Sequence, residues 1–184
     1  MEIIGKTSLW EGKFLRAVRI EYSDGVVDKR RYWEAVERVG CDGVVAIVPI
    51  TDDGMLVLIR QFRPPVGECV IELPAGLCDP GERLEDAARR ELIEETGYST
   101  GKLTFLTEGP LSSGLSSEIL SVFSATGLAY VGIGKRDETE DIEVLEVPLN
   151  EVMPVLRSRQ EAGDYIDIKI YGLIELAKQS MEKE

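Results

Sequence analysis

Glu91, Glu94 and Glu95 lie within five residues of one another, in a stretch whose apolar spacing predicts a helix from about Glu82 to Thr96. A helix turns about 100° per residue. Leu84, Ala87, Ala88 and Leu92 therefore share one side, the stripe expected to face a core. Glu91 and Glu95 fall on that same side, one turn apart, with Glu94 beside them. The opposite side carries Glu85, Asp86, Arg89 and Ile93. Carboxylates on an apolar stripe are costly unless something neutralises them, and acidic residues four apart repel each other. A solvated acidic helix with Arg89 and Arg90 as partners accounts for the charge but not for its placement. Hard carboxylate oxygens suit Mg²⁺ or Mn²⁺, and Mg²⁺ typically bridges a few carboxylates to the phosphates of a substrate.

Composition narrows the chemistry further. The 184 residues include no histidine, which excludes histidine triads, imidazole metal sites and histidine proton shuttles. The formal net charge of −13 argues against a general nucleic-acid binder, which needs basic surface to offset phosphates. An acidic protein still binds a small polyanion where metal ions reverse the local field. Cys41, Cys69 and Cys78 form no CxxC pair and are odd in number, so they read as reduced thiols of a cytoplasmic protein. No apolar run approaches the length of a membrane span, and the start of the chain lacks a basic region followed by an apolar stretch.

The elements that must position the helix follow from periodicity and turn residues. Phe14–Tyr22 and Lys29–Val39 read as strands around a turn at Ser23-Asp24-Gly25. Strands are also expected at Val44–Val48 and Met55–Gln61, joined at Asp52-Asp53-Gly54, and at Cys69–Leu73. Pro80-Gly81 precedes the acidic helix and Gly97 ends it. Further strands are expected at Leu103–Thr107, Glu118–Thr126 and Ile142–Val147, and helices near Leu149–Ser158 and Asp164–Gln179. This order implies an α/β sandwich rather than a Rossmann repeat. Residues 1–40 form an N-terminal β segment, 41–179 the main domain and 180–184 a frayed tail.

Around the acidic helix the residues run Gly76, five more, Glu82, seven more, then Arg90-Glu91-Leu92-Ile93-Glu94-Glu95-Thr96-Gly97-Tyr98. This resembles the signature of the Nudix hydrolases, G-x5-E-x7-R-E-U-x-E-E-x-G-U with U bulky and apolar. All seven fixed positions match, and a chance match at a given start is rarer than roughly one in ten million. The resemblance implies an α/β/α sandwich with a mixed central sheet plus a small N-terminal β layer. It implies Glu91 and Glu95 as metal ligands, Glu94 as a further ligand or a support for them, and the backbone carbonyl of Ala75 as another ligand. Two or three Mg²⁺ or Mn²⁺ ions per site are expected. Gly76 allows close backbone approach to metal or phosphate, Glu82 is expected to brace Arg90, and Gly97 to close the helix.

Gln61-Phe62-Arg63-Pro64-Pro65 and Glu72-Leu73-Pro74-Ala75-Gly76 are similar to segments of the ADP-ribose and ADP-sugar pyrophosphatases of that family. The likeness implies Arg63 as a diphosphate contact, a role that suits bidentate donation, with Glu72 orienting Arg63 or touching substrate. Phe14 and Trp33 match positions that sandwich adenine across a homodimer, which would make residues 1–40 a dimerisation layer and the sites shared between chains; packing of the N-terminal sheet is the other reading of both. Gly114 belongs to a matching Gly114-Leu115-Ser116 stretch, although Ser113 stands where the subfamily commonly has proline. The acidic run Asp137-Glu138-Thr139-Glu140-Asp141 is similar to the loop that supplies the general base, Glu138 first and Glu140 second. The expected reaction is Mg²⁺-dependent hydrolysis of a nucleoside diphosphate sugar, ADP-ribose giving AMP and ribose 5-phosphate. GDP-mannose or another such sugar is the alternative. A non-catalytic nucleotide-sugar sensor is more remote, because all the box glutamates are present.

Overall fold

The computed structural model describes residues 1–25, 29–134 and 141–182. Three antiparallel strands come first: β1 (Glu2–Glu11), β2 (Leu15–Ser23) and β3 (Arg30–Arg38), in that spatial order. This sheet is exposed or half-buried, and Val18 alone of its described residues is fully buried. Ion pairs stitch it across the strands, Arg16 with Glu11 and Arg30 with Glu21 among them.

The remaining strands build two mixed sheets. Their sequence order is β4 (Gly43–Pro49), β5 (Met55–Arg63), β6 (Glu68–Glu72), β7 (Ala75–Cys78), β8 (Tyr98–Pro110), β9 (Ile119–Tyr130), β10 (Ile142–Pro148) and β11 (Tyr165–Ile166). One sheet runs β10-β5-β6-β11, the other β7-β4-β9-β8. The parallel pairs are β6 with β11 and β4 with β9. Three helices complete the chain: α1 (Leu84–Thr96), α2 (Val152–Glu161) and α3 (Lys169–Met181).

Strand alternation assigns the two cores. Successive side chains of a strand point to opposite faces. Val45 and Ile47 of β4, with Phe123 and Ala125 of β9, pack against Ala87, Ala88 and Leu92 of α1. Ala46 and Val48, with Leu120 and Val122, point the other way, into a larger core shared with β5, β6, α2 and α3. β4 is apolar on both sides because both its faces are covered. Helix α1 thus lies on the outer face of the β7-β4-β9-β8 sheet, while α2 and α3 close the opposite side, an α/β/α sandwich with an N-terminal β layer.

Several local expectations are corrected. Residues 82 and 83 precede the helix rather than starting it. A third N-terminal strand, β1, runs over Glu2–Glu11, and β8 is far longer than Leu103–Thr107. Ala75–Cys78 is a strand, since it pairs with Gly43–Ala46. The last helix begins five residues later than its apolar period suggests. Tyr165 and Ile166 pair with Val70 and Ile71 instead, a tertiary contact that local spacing does not encode. Among the described residues no helix is long and apolar enough to cross a membrane.

Candidate active site

Helix α1 starts without a side-chain cap at Arg83; Glu85 and Asp86 in its first turn complement the partial positive charge of its N-terminus. It ends at Gly97, whose N–H closes the last turn on the Ile93 carbonyl and whose φ of 80° turns the chain out of the helix. These limits present Glu91 and Glu95 to a cavity of about 490 Å³. Its other lining includes Arg38, Gln61, Arg63, Glu72, Ala75 and Gly76.

Glu95 is buried with 4% exposure, and its Oε2 accepts a hydrogen bond from the Ala75 N–H at 2.8 Å. The β7 backbone therefore fixes this carboxylate against the cavity. Glu91 lies against Gly76: a Cβ there would come within 1.9 Å of the Glu91 carboxyl carbon. The glycine is needed for this close approach, and its missing side chain leaves room for the acid. Glu94 lies outside the cavity lining and faces Gly134, whose N–H donates to the Ile93 carbonyl at 3.1 Å.

Arg90 ties these groups together. Its Nε and Nη2 donate to the two oxygens of Glu82 at 3.0 and 2.9 Å, and Nη2 also donates to the Leu77 carbonyl. Nη1 donates to Glu91 at 2.7 Å and to Glu94 at 3.1 Å. The bond to Glu82 above all holds Arg90 firmly protonated. The same guanidinium, helped by the Asp79 N–H, keeps the Glu82 carboxyl below the usual carboxylate range despite the cost of burial. Glu82 and Arg90 thus clamp the entry loop onto the helix.

Across the cavity, Glu72 on β6 accepts from Arg63 Nε at 2.7 Å and from Gln61 Nε2 at 3.1 Å. The Arg63 contact uses Nε, which leaves the terminal nitrogens to form a fork for an anion. Arg38, at the end of β3, lines the same cavity while paired with Glu118. Sequence reasoning missed Arg38, because a basic residue at a strand end carries no signal of its own. It also missed Asp167 and Lys169, further lining residues that an ordinary helix start concealed.

Phe14, in the turn between β1 and β2, and Trp33, on β3, are exposed and outside the cavity lining. The Phe14 carbonyl accepts from the Val39 N–H, which places Phe14 six residues beyond Trp33 along β3, roughly 20 Å at strand spacing. One chain alone does not close these two rings on a base. The Trp33 indole donates to the Gly114 carbonyl at 3.0 Å, and Val36 forms a parallel bridge with Ser116. The loop after β8 is thereby latched onto β3. Ser113 in that loop is exposed. Glu138 and Glu140 lie outside the described residues. The residues flanking that stretch are close to the site: Gly134 packs on Glu94, and Ile142 stands opposite Gln61 in the β10–β5 ladder.

Residues 42–167 match the NUDIX domain. The chain belongs to the Nudix family. This Nudix hydrolase is 37% identical over 160 residues to the ADP-ribose pyrophosphatase of Bacillus subtilis, covering 85% of this chain and 83% of that one. It is 30% identical over 176 residues to the ADP-sugar pyrophosphatase of Mus musculus, covering 88% and 80% respectively. A crystal structure of an ADP compounds hydrolase superposes with a TM-score of 0.77 at 26% identity, over 99% of this chain and 94% of that one.

Nudix hydrolases generally need a divalent metal such as Mg²⁺. The residues fit such an ion: a buried acid pinned by a backbone N–H, and a second acid in a notch that a Cβ would fill. Among the described residues no three acidic or thiol side chains stand together as a ready-made cage. Mg²⁺ is usually held by one or two carboxylates together with water and substrate phosphates.

Proposed function

We propose that this Nudix hydrolase cleaves the diphosphate of a nucleoside diphosphate sugar, with ADP-ribose the preferred substrate, giving AMP and ribose 5-phosphate. One observation carries the reading: a single cavity has Glu91 and Glu95 on one wall and the Arg63–Glu72 pair on the other. That arrangement suits a group bearing two adjacent phosphates. Glu91, Glu95, the Ala75 carbonyl and Glu94 would hold two or three Mg²⁺ or Mn²⁺ ions. When bound, they supply positive charge against the phosphoryl oxygens. Arg63, oriented by Glu72, grips a phosphate through its terminal nitrogens. Glu138, or Glu140 in its place, accepts a proton from the attacking water. The new oxygen–phosphorus bond forms as the bridging oxygen leaves on the other phosphate. The chain works as a homodimer in the cytoplasm, with Phe14 of one subunit and Trp33 of the other stacking on the base.

Initial rates in Mg²⁺ on ADP-ribose, ADP-glucose, GDP-mannose and NADH test the reading. ADP-ribose is expected to show the highest kcat/KM by at least about tenfold. A lead for GDP-mannose would move the assignment to the guanine sugars, and tight binding of ADP-ribose without turnover would move it to a sensor.

A further inference from the structure

The cavity wall beyond Glu72 carries a charge pair that the hydrolysis does not use. Asp167 follows β11, and its N–H donates to the Ile71 carbonyl at 3.0 Å, which fastens it beside Glu72 on β6. The chain then turns into α3. Asp167 Oδ1 accepts from the Lys169 N–H at 3.0 Å and from Lys169 Nζ at 2.8 Å, and Oδ2 lies 2.6 Å from Nζ. Asp167 and Lys169 both line the cavity, as does Leu173 one turn along α3.

Closing the end of α3 accounts for Asp167 but not for Lys169. A capping carboxylate needs only the backbone N–H, and an exposed ion pair contributes little stability. A lone lysine here would add to the cationic grip of Arg63 on phosphate. Paired with Asp167 it presents no net charge, but it does present hydrogen-bonding capacity. An ionised carboxylate offers about four acceptor sites, and an ammonium three donors. The two backbone and side-chain donors of Lys169 leave acceptor capacity on Asp167. A fixed, neutral donor–acceptor pair matches neutral hydroxyl groups better than it matches another phosphate. Acidic side chains recognise ribose hydroxyls in this way in dinucleotide-binding folds.

We propose that Asp167 and Lys169 form the subsite for the sugar that leaves with the second phosphate. Asp167 accepts from a sugar hydroxyl through Oδ2 and Lys169 donates to a neighbouring sugar oxygen, so the pair sets preference for the sugar rather than for the nucleotide. This rests on the nucleoside diphosphate sugar reading above. The test compares the best sugar substrate with the β-methyl ester of ADP, which keeps the diphosphate and lacks the sugar hydroxyls. Asn also caps helices, so Asp167→Asn preserves α3; Lys169→Met leaves the cap untouched. The ratio of kcat/KM, sugar substrate over methyl ester, is expected to fall about tenfold in Asp167→Asn, chiefly through KM, and by a smaller factor in Lys169→Met. An unchanged ratio in both variants overturns the proposal, whether both substrates lose activity equally or neither does. So does a wild-type enzyme that does not prefer the sugar substrate. Wild-type protein that hydrolyses no nucleoside diphosphate sugar overturns the reading beneath it, and that result is read before any variant is made.

Discussion

At the scale of single residues, the acids of α1 divide by what holds them. Glu95 is fixed by the Ala75 N–H, Glu91 by the notch at Gly76 and by Arg90, and Glu94 by Arg90 at the far side. Glu91→Gln and Glu95→Gln each keep the shape and remove the charge. Each is expected to lower kcat by at least roughly a hundredfold, the scale of losing one charge-stabilising group in a transition state. Circular dichroism and melting temperature should stay close to wild type; near-normal turnover in both variants would sink the metal-helix reading. Gly76→Ala tests the notch separately. Residue 76 has no left-handed backbone to defend, but the new methyl displaces the Glu91 carboxyl. Activity should drop at least about tenfold, and full activity would mean that the carboxyl has slack to move. The carboxylates and their spacing were legible in the sequence because the box is local. Arg38, Asp167 and Lys169 were not: Arg38 is held there by its pairing with Glu118 beside the Val36–Ser116 bridge, and Asp167 and Lys169 follow the β11–β6 pairing, all contacts made at long range.

At the scale of elements, α1 is held to its sheet by few side chains. Leu92 is fully buried among Ala87, Ala88 and the β4 and β9 side chains. Leu92→Ala should cost about 2–5 kcal/mol, readable in urea unfolding, and a loss under 1 kcal/mol would show that the helix repacks. Where α1 meets β8, the Tyr98 hydroxyl donates to Glu146 at 2.5 Å. That bond above all, together with burial, pushes the phenol up to about 12. A phenol held neutral in the fold contributes stability below its unfolded value near 10. The contribution is lost as pH rises through the folded value. The ultraviolet titration of wild type minus Tyr98→Phe should therefore show a phenolate midpoint near 12, and a midpoint near 10 contradicts the contact. Periodicity found α1 and the central strands, whose apolar spacing is strong. It missed β7 and β11, which are short and exist because a neighbour offers them hydrogen bonds.

At the scale of the whole molecule, the open question is how many chains make a site. The N-terminal sheet and its first turn expose Ile3, Leu9, Trp10, Phe14 and Trp33. Phe14 and Trp33 stand too far apart in one chain to enclose a base, so a shared site requires a second copy. Mixing dissociated Trp33→Ala and Glu95→Gln chains and letting them reassociate tests this. Shared sites give one intact site in each mixed pair, so activity at low ADP-ribose should exceed the mean of the two variants. Equality with that mean refutes a site that takes Trp33 and Glu95 from different chains.

The latch between Trp33 and Gly114 joins residues 81 positions apart. Beside it, Val36 is bridged to Ser116 and Arg38 is paired with Glu118. The end of β3 is thus sewn into the wall of the cavity, although the NUDIX match begins only at residue 42. A shortened protein starting there would keep every box glutamate and lose Arg38 from the chamber. The boundary recognised in sequence is therefore not a line along which the enzyme can be cut.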